Sequence, residues 1–130
     1  MDTSVFYKAG IDIGSTTVKL TVTDSSGKLL FGEYRRHLAH TKDTLVGLLE
    51  EAKERLGNVT LKVHITGSGA IGIAASLKLS FVQEVVAVAS AVKASYPETD
   101  VAVELGGEDA NIIYFSKGGI EERMNGVCAG

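Results

Sequence analysis

The chain has 130 residues, 13 of them Lys or Arg and 16 Asp or Glu, for a formal charge of −3. With 45% hydrophobic and 22% charged residues it has the composition of one packed globular domain, which excludes a disordered chain. A mildly acidic chain lacks the footprint of a nucleic-acid binder, and no apolar run approaches the ~20 residues that span a bilayer, so neither nucleic acid nor a membrane is expected as partner.

Met1–Ser4 carries no signal-peptide pattern, and the single cysteine, Cys128, cannot form an internal disulfide; both fit a cytoplasmic protein. Val5 to Ile13 reads as a buried strand, Thr17 to Thr23 as a second and Leu29 to Arg36 as a third, separated by Gly14-Ser15-Thr16 and by the turn Asp24-Ser25-Ser26-Gly27. Three strands with tight turns predict an antiparallel meander. Leu45, Leu48, Leu49, Ala52 and Leu56 follow helical spacing, with Thr41 expected as N-cap and Gly57-Asn58 as the stop. Val59, Leu61, Val63 and Ile65 alternate as a fourth strand, followed by Gly67-Ser68-Gly69 and a small-residue helix over Ala70 to Leu77. Phe81 to Ser95 suits a helix that could open as a short strand, and Pro97 ends it. Val101 to Leu105, Asn111 to Phe115 and Ile120 to Met124 form a second meander.

The fifteen glycines, where an average usage of about 7% would give nine, sit in clusters after apolar strands. Two clusters repeat. Gly10-Ile11-Asp12-Ile13-Gly14-Ser15 matches Val103-Glu104-Leu105-Gly106-Gly107-Glu108: a carboxylate in an apolar strand, one apolar residue, then Gly at the first turn. The carboxylates lie 104 − 12 = 92 residues apart, and 26 residues follow Glu104. The expectation is therefore one complete unit over residues 1–97 and the opening strands of its duplicate over residues 98–130, within a longer protein.

A Gly-rich hairpin after a strand brings backbone N–H groups close together as an anion nest suited to phosphate oxygens. Ser15, Thr16 and Thr17 add hydroxyls, and Lys19 adds a cation. Asp12 and Glu104 cannot bind phosphate directly; they would hold Mg²⁺ through its waters or orient an attacking water. Each hairpin alone would be an ordinary turn, and Asp12 alone an ordinary buried acid; the matched pair is what points to a triphosphate.

Gly10-Ile11-Asp12-Ile13-Gly14-Ser15-Thr16-Thr17-Val18-Lys19 resembles the first phosphate motif of the actin-like ATPase superfamily, which includes actin, sugar kinases and ATP-dependent activases. Glu104-Leu105-Gly106-Gly107-Glu108-Asp109-Ala110 with Arg123-Met124-Asn125-Gly126-Val127-Cys128-Ala129-Gly130 resembles the second phosphate motif and cysteine segment of the activators of 2-hydroxyacyl-CoA dehydratases and benzoyl-CoA reductases, in particular the N-terminal domain of large activase-related proteins. The resemblance implies an α/β, RNase H-like (actin-like ATPase) fold and a homodimer that binds ATP with Mg²⁺. It also implies a shared 4Fe–4S cluster, from which ATP hydrolysis drives one electron to a dehydratase-type partner.

Carried over by position, Asp12, Gly14, Ser15, Thr16, Thr17 and Lys19 fall in the first phosphate loop. Glu104, Gly106, Gly107, Glu108 and Asp109 fall in the second, and Cys128 matches a cluster ligand. The sequence departs from the pattern in lacking a second cysteine, in Asn111 where relatives carry Lys, and in Glu104 and Glu108 where Asp and Gln are expected. The adenosine-binding segment is also missing, so the chain alone is expected to bind ATP weakly at best. A sugar or small-metabolite kinase of the same superfamily, and a non-catalytic remnant of it, are the competing readings; an RNase H-like nuclease is disfavoured by the acidic balance.

His37 and His40 form His-x-x-His with no acid cluster to complete a metal site, and His64 falls on the polar side of its strand. Gly67-Ser68-Gly69 could approach the nucleotide or simply permit a turn. Glu50, Glu51, Lys53, Glu54 and Arg55 read as a solvated helix face.

Overall fold

The computed structural model describes residues 6–106, 109–117 and 119–125, the stretch 121–125 by its backbone alone. The first meander is β1 (Phe6–Ile13), β2 (Thr17–Thr23) and β3 (Leu29–Arg36), followed by α1 (Thr41–Leu56), β4 (Thr60–Thr66), α2 (Ile71–Leu77) and the two-residue β5 (Ser80–Phe81). Then come α3 (Glu84–Ser95) and the second meander, β6 (Val101–Leu105), β7 (Ala110–Ser116) and β8 (Gly119–Asn125). The ambiguous stretch from Phe81 thus resolves as a short strand and a separate helix.

The chain divides into two compact units, Met1–Phe81 and Val82–Gly130, with α3 grouped with the second meander. In the first unit the sheet order is β3-β2-β1-β4-β5. β1 pairs antiparallel with β2 and parallel with β4, and a parallel neighbour needs a long crossover, which α1 supplies. Alternation along the strands sends Ala9, Ile11 and Ile13 of β1 and Val18, Leu20 and Val22 of β2 to one face, all buried. Phe31, Ile65 and the α1 ridge Leu45, Leu48 and Ala52 join the same core. Burying a side chain such as Leu48, at 0% exposure, contributes about 1.5–3 kcal/mol.

The ends of α1 differ from expectation in one detail. Its N-cap is His40, without a side-chain capping bond; Thr41 already lies in the helix, and the hydroxyl of Thr44 donates back to the His40 carbonyl at 2.8 Å. Gly57 does stop the helix, at φ 78°. On the helix surface Arg55 pairs with Glu51 one turn earlier (2.9 Å) and lies 5.2 Å over the Phe31 ring, while Arg35 of β3 pairs with the same Glu51. The predicted Asp24 turn also forms: its carboxylate accepts from the Ser26 N–H and hydroxyl and from the Lys28 N–H.

In the second unit β7 is central, antiparallel to β6 and β8. The repeat seen in the sequence is also a repeat of register. A constant shift of 92 residues carries the cross-strand pair Asp12–Lys19 onto Glu104–Asn111. The same shift carries the turn bond from Gly14 N–H to Thr17 carbonyl onto that from Gly106 N–H to Asp109 carbonyl, both 2.9 Å. It also carries Ala9, Ile11 and Ile13 onto Val101, Val103 and Leu105. The first three are core; the second three are 48, 60 and 75% exposed.

Candidate functional site

The first loop grows out of β1. Ile13 points into the core, so Asp12 lies on the opposite face of the sheet, next to Lys19 of β2 and Thr66 of β4. Lys19 Nζ lies 3.5 Å from Asp12 Oδ2, with both side chains substantially exposed. Such a pair is worth about 0–1 kcal/mol, so a ligand can draw on either partner at little cost. The tip residues Ser15 and Thr16 are exposed, and among the described residues their N–H groups and hydroxyls meet no hydrogen-bond acceptor. They are free donors at the mouth of a strand.

Two further segments pack against this loop. The Gly69 N–H donates to the Ile13 carbonyl at 2.9 Å. Gly67 holds φ at +108°, and a Cβ placed on it would lie 2.1 Å from the Ile13 oxygen and 2.7 Å from Asp12 Oδ1. The Gly67–Gly69 turn therefore approaches the loop backbone itself. From the other side His37 donates its N–H to the Thr16 carbonyl (3.1 Å), and its ring Nε2 meets the Gly14 carbonyl (3.1 Å).

The second loop repeats the plan with different chemistry. Glu104 is held by its cross-strand neighbour: Asn111 Nδ2 donates to Glu104 Oε2 at 3.1 Å. Asn111 is 5% exposed, so an amide is buried where the first loop has an exposed ammonium. Gly106 and Asp109 close the turn. Gly107, Glu108 and Cys128 lie outside the described residues.

Among the described residues two buried side-chain oxygens or nitrogens lack a hydrogen-bond partner, Thr66 Oγ1 and Asn111 Oδ1. Each belongs to the cross-strand neighbour of one of the repeated carboxylates. An unpaired buried polar atom costs about 1–3 kcal/mol and is rare, and one lies beside each of the two carboxylates. Carboxylate, hydroxyl and free N–H groups fit a hydrated Mg²⁺ and phosphate oxygens. No group of three His, Cys, Asp or Glu among the described residues could hold a metal directly. The cavity at the end of α1, lined by Leu49, Leu56 and Leu61 among others, includes neither carboxylate.

Sequence reasoning missed His37, Thr66 and the Asn111–Glu104 bond. The first was within reach: pairing Thr17 with Arg36 sets the next residue, His37, against Thr16.

No protein-family model matches this sequence. An uncharacterised protein of Methanocaldococcus jannaschii is 26% identical over 122 residues, which is 92% of this chain and 49% of that protein. Component A of the (R)-2-hydroxyglutaryl-CoA dehydratase of Acidaminococcus fermentans superposes with a TM-score of 0.74 at 21% identity, covering 96% of this chain and 49% of that one. The activator of the 2-hydroxyisocaproyl-CoA dehydratase from Clostridium difficile, solved with bound ADPNP, gives 0.70 at 22% identity, covering 92% and 46%. The ethanolamine utilization protein EutJ of Carboxydothermus hydrogenoformans gives 0.71 at 19%, covering 95% and 53%. These likenesses establish the fold: the chain adopts part of the actin-like ATPase fold, with a dehydratase component and a dehydratase activator among its structural neighbours. It spans about half the length of the relatives it matches.

Proposed function

We propose that this chain is the nucleotide-binding part of an ATP-dependent activator serving a 2-hydroxyacyl-CoA dehydratase-type enzyme, in the cytoplasm and as a homodimer. The observation that carries the reading is the doubled hairpin. Carboxylate, turn bond and cross-strand partner recur at one fixed spacing, and the buried unpaired oxygens of both sheets lie beside the two carboxylates. Two structural neighbours, one a dehydratase component A and the other a dehydratase activator with bound ADPNP, add support for the nucleotide and for the partner class.

In this reading the N–H groups and hydroxyls of Ser15 and Thr16, with Thr17 beside them, bind phosphate oxygens, and Gly14 keeps the backbone open enough for them to approach. Lys19, paired with Asp12 at 3.5 Å, would be available to phosphate charge. Asp12 would hold the waters of a bound Mg²⁺ or orient a water toward the terminal phosphorus. Glu104 would be the corresponding carboxylate of the second hairpin, with Asn111 fixing its rotamer, and Gly106, Gly107, Glu108 and Asp109 are the residues proposed for that loop. Bound MgATP would supply the scissile γ-phosphoryl bond; the protein supplies position and charge.

The resemblance also extends to electron transfer from a 4Fe–4S cluster. These 130 residues alone do not fit it: they hold one cysteine, Cys128, and two copies give two thiolates where such a cluster takes four. No step through a cluster is assigned to these residues.

Thermal unfolding in increasing MgATP tests the reading. A saturable rise in the midpoint is expected, lost in Asp12→Asn and reduced in Glu104→Gln. A rise of the same size in both variants would overturn it.

A further inference from the structure

His37 is a side chain for which neither the motifs nor the proposed function has a use. It is half-buried at the end of β3, and all its polar groups are engaged. The ring Nδ1 accepts from the Ala39 N–H at 3.1 Å, so Nδ1 carries a lone pair and the proton of the neutral ring sits on Nε2. Nε2–H therefore donates to the Gly14 carbonyl at 3.1 Å. The main chain of the same residue donates to the Thr16 carbonyl and accepts from the His40 N–H. One residue thus grips both ends of the first hairpin turn, and it does so through a single tautomer.

The backbone around it is costly. Leu38 and Ala39, neither of them glycine, hold φ at +46° and +67°, conformations that L residues rarely take. Leu38 is 75% exposed, so no burial of its side chain repays the strain. What the two left-handed residues accomplish is to turn the Ala39 N–H back onto the ring. Strain kept at a particular point of a loop is a sign of use there.

We infer that His37 is a positioning residue for the first phosphate loop: its Nε2–H fixes the Gly14 carbonyl, and the Ala39 N–H fixes the ring. With the Gly14 and Thr16 carbonyls tied to His37, the tip N–H groups of Ser15 and Thr16 are left facing outward, ready for an anion. The consequence for nucleotide rests on the proposed function; the consequence for loop shape does not.

Two substitutions separate the ring's two bonds. Glutamine reaches as far as Nε2 and can donate to Gly14 but offers nothing at Nδ1. Asparagine reaches only as far as Nδ1 and can accept from Ala39 but leaves Gly14 free. In the 130-residue chain, amide shifts and hydrogen exchange of Gly14 to Thr17 should stay native in His37→Gln and change in His37→Asn, at comparable thermal midpoints. MgATP binding, followed by the same amides, should weaken about fivefold to tenfold in His37→Asn and recover in His37→Gln. Native loop amides in His37→Asn, or equal perturbation by both variants, would overturn the inference. If the parent chain showed no response to MgATP, the nucleotide reading would fall, and the apo-state amides would still decide the role of His37.

Discussion

Replacing Gly67 by alanine puts a methyl group where the structure has no room for one. The new Cβ would lie 2.1 Å from the Ile13 carbonyl oxygen, 2.6 Å from its carbon and 2.7 Å from Asp12 Oδ1. Two of these are backbone atoms of β1, which is locked between β2 and β4, so the clash cannot be relieved by a side-chain rotation. Holding alanine at φ +108° adds about 1–2 kcal/mol of backbone cost, and forcing an extra carbon into a packed site about 1–3 kcal/mol more. The expected destabilisation is about 2–5 kcal/mol. Urea unfolding followed by far-ultraviolet circular dichroism reads it; with a slope of about 1–3 kcal/mol per molar, the midpoint should fall by about 1 M or more. Gly72 is the control: it lies inside α2 with nothing within 4 Å, and Gly72→Ala should stabilise by about 0.5–1 kcal/mol. A Gly67→Ala chain within about 1 kcal/mol of the parent would refute the close approach on which the first loop's geometry depends.

Leu48→Ala removes a fully buried side chain at the centre of the α1–sheet contact and should cost about 2–5 kcal/mol by chemical denaturation. Glu51→Gln breaks pairs with the half-exposed Arg35 and Arg55 and should cost no more than about 1 kcal/mol, a difference that shrinks in high salt. Asp24 has its carboxyl held below the ordinary 3.8, chiefly by the Ser26 hydroxyl and next by the Lys28 N–H. A folded-state value below the unfolded one gives stability that is present above 3.8 and lost as the pH falls through the folded value. Thermal midpoints of the parent and Asp24→Asn should therefore differ at neutral pH and converge on acidification.

Most elements were legible because each carried one clear period. Ala9, Ile11 and Ile13 alternate, Leu45, Leu48 and Ala52 recur at helical spacing, and Asp24 to Gly27 is turn chemistry in its plainest form. The repeated carboxylates could be found because the 92-residue shift preserves residue types as well as structure. What could not be read depends on contacts distant in sequence or on backbone angles that residue type does not announce. Nothing about Leu38 and Ala39 signals left-handed φ. His40 displaced Thr41 as N-cap because the chain enters α1 through that strained turn, with the His40 N–H tied back to the His37 carbonyl. Thr66 became part of the site only through the parallel pairing of β4 with β1. The Asn111 amide that holds Glu104 reads in the sequence as the loss of a cation, and in the structure as the gain of a hydrogen bond.

The central claim is that the two repeated hairpins are phosphate loops, and amide-resolved titration of the isotope-labelled chain with MgATP tests it most directly. The account predicts saturable shifts at Ser15, Thr16 and Lys19 in the first hairpin and from Gly106 to Asp109 in the second. Shifts confined to the cavity at the end of α1, or none at all, would contradict it.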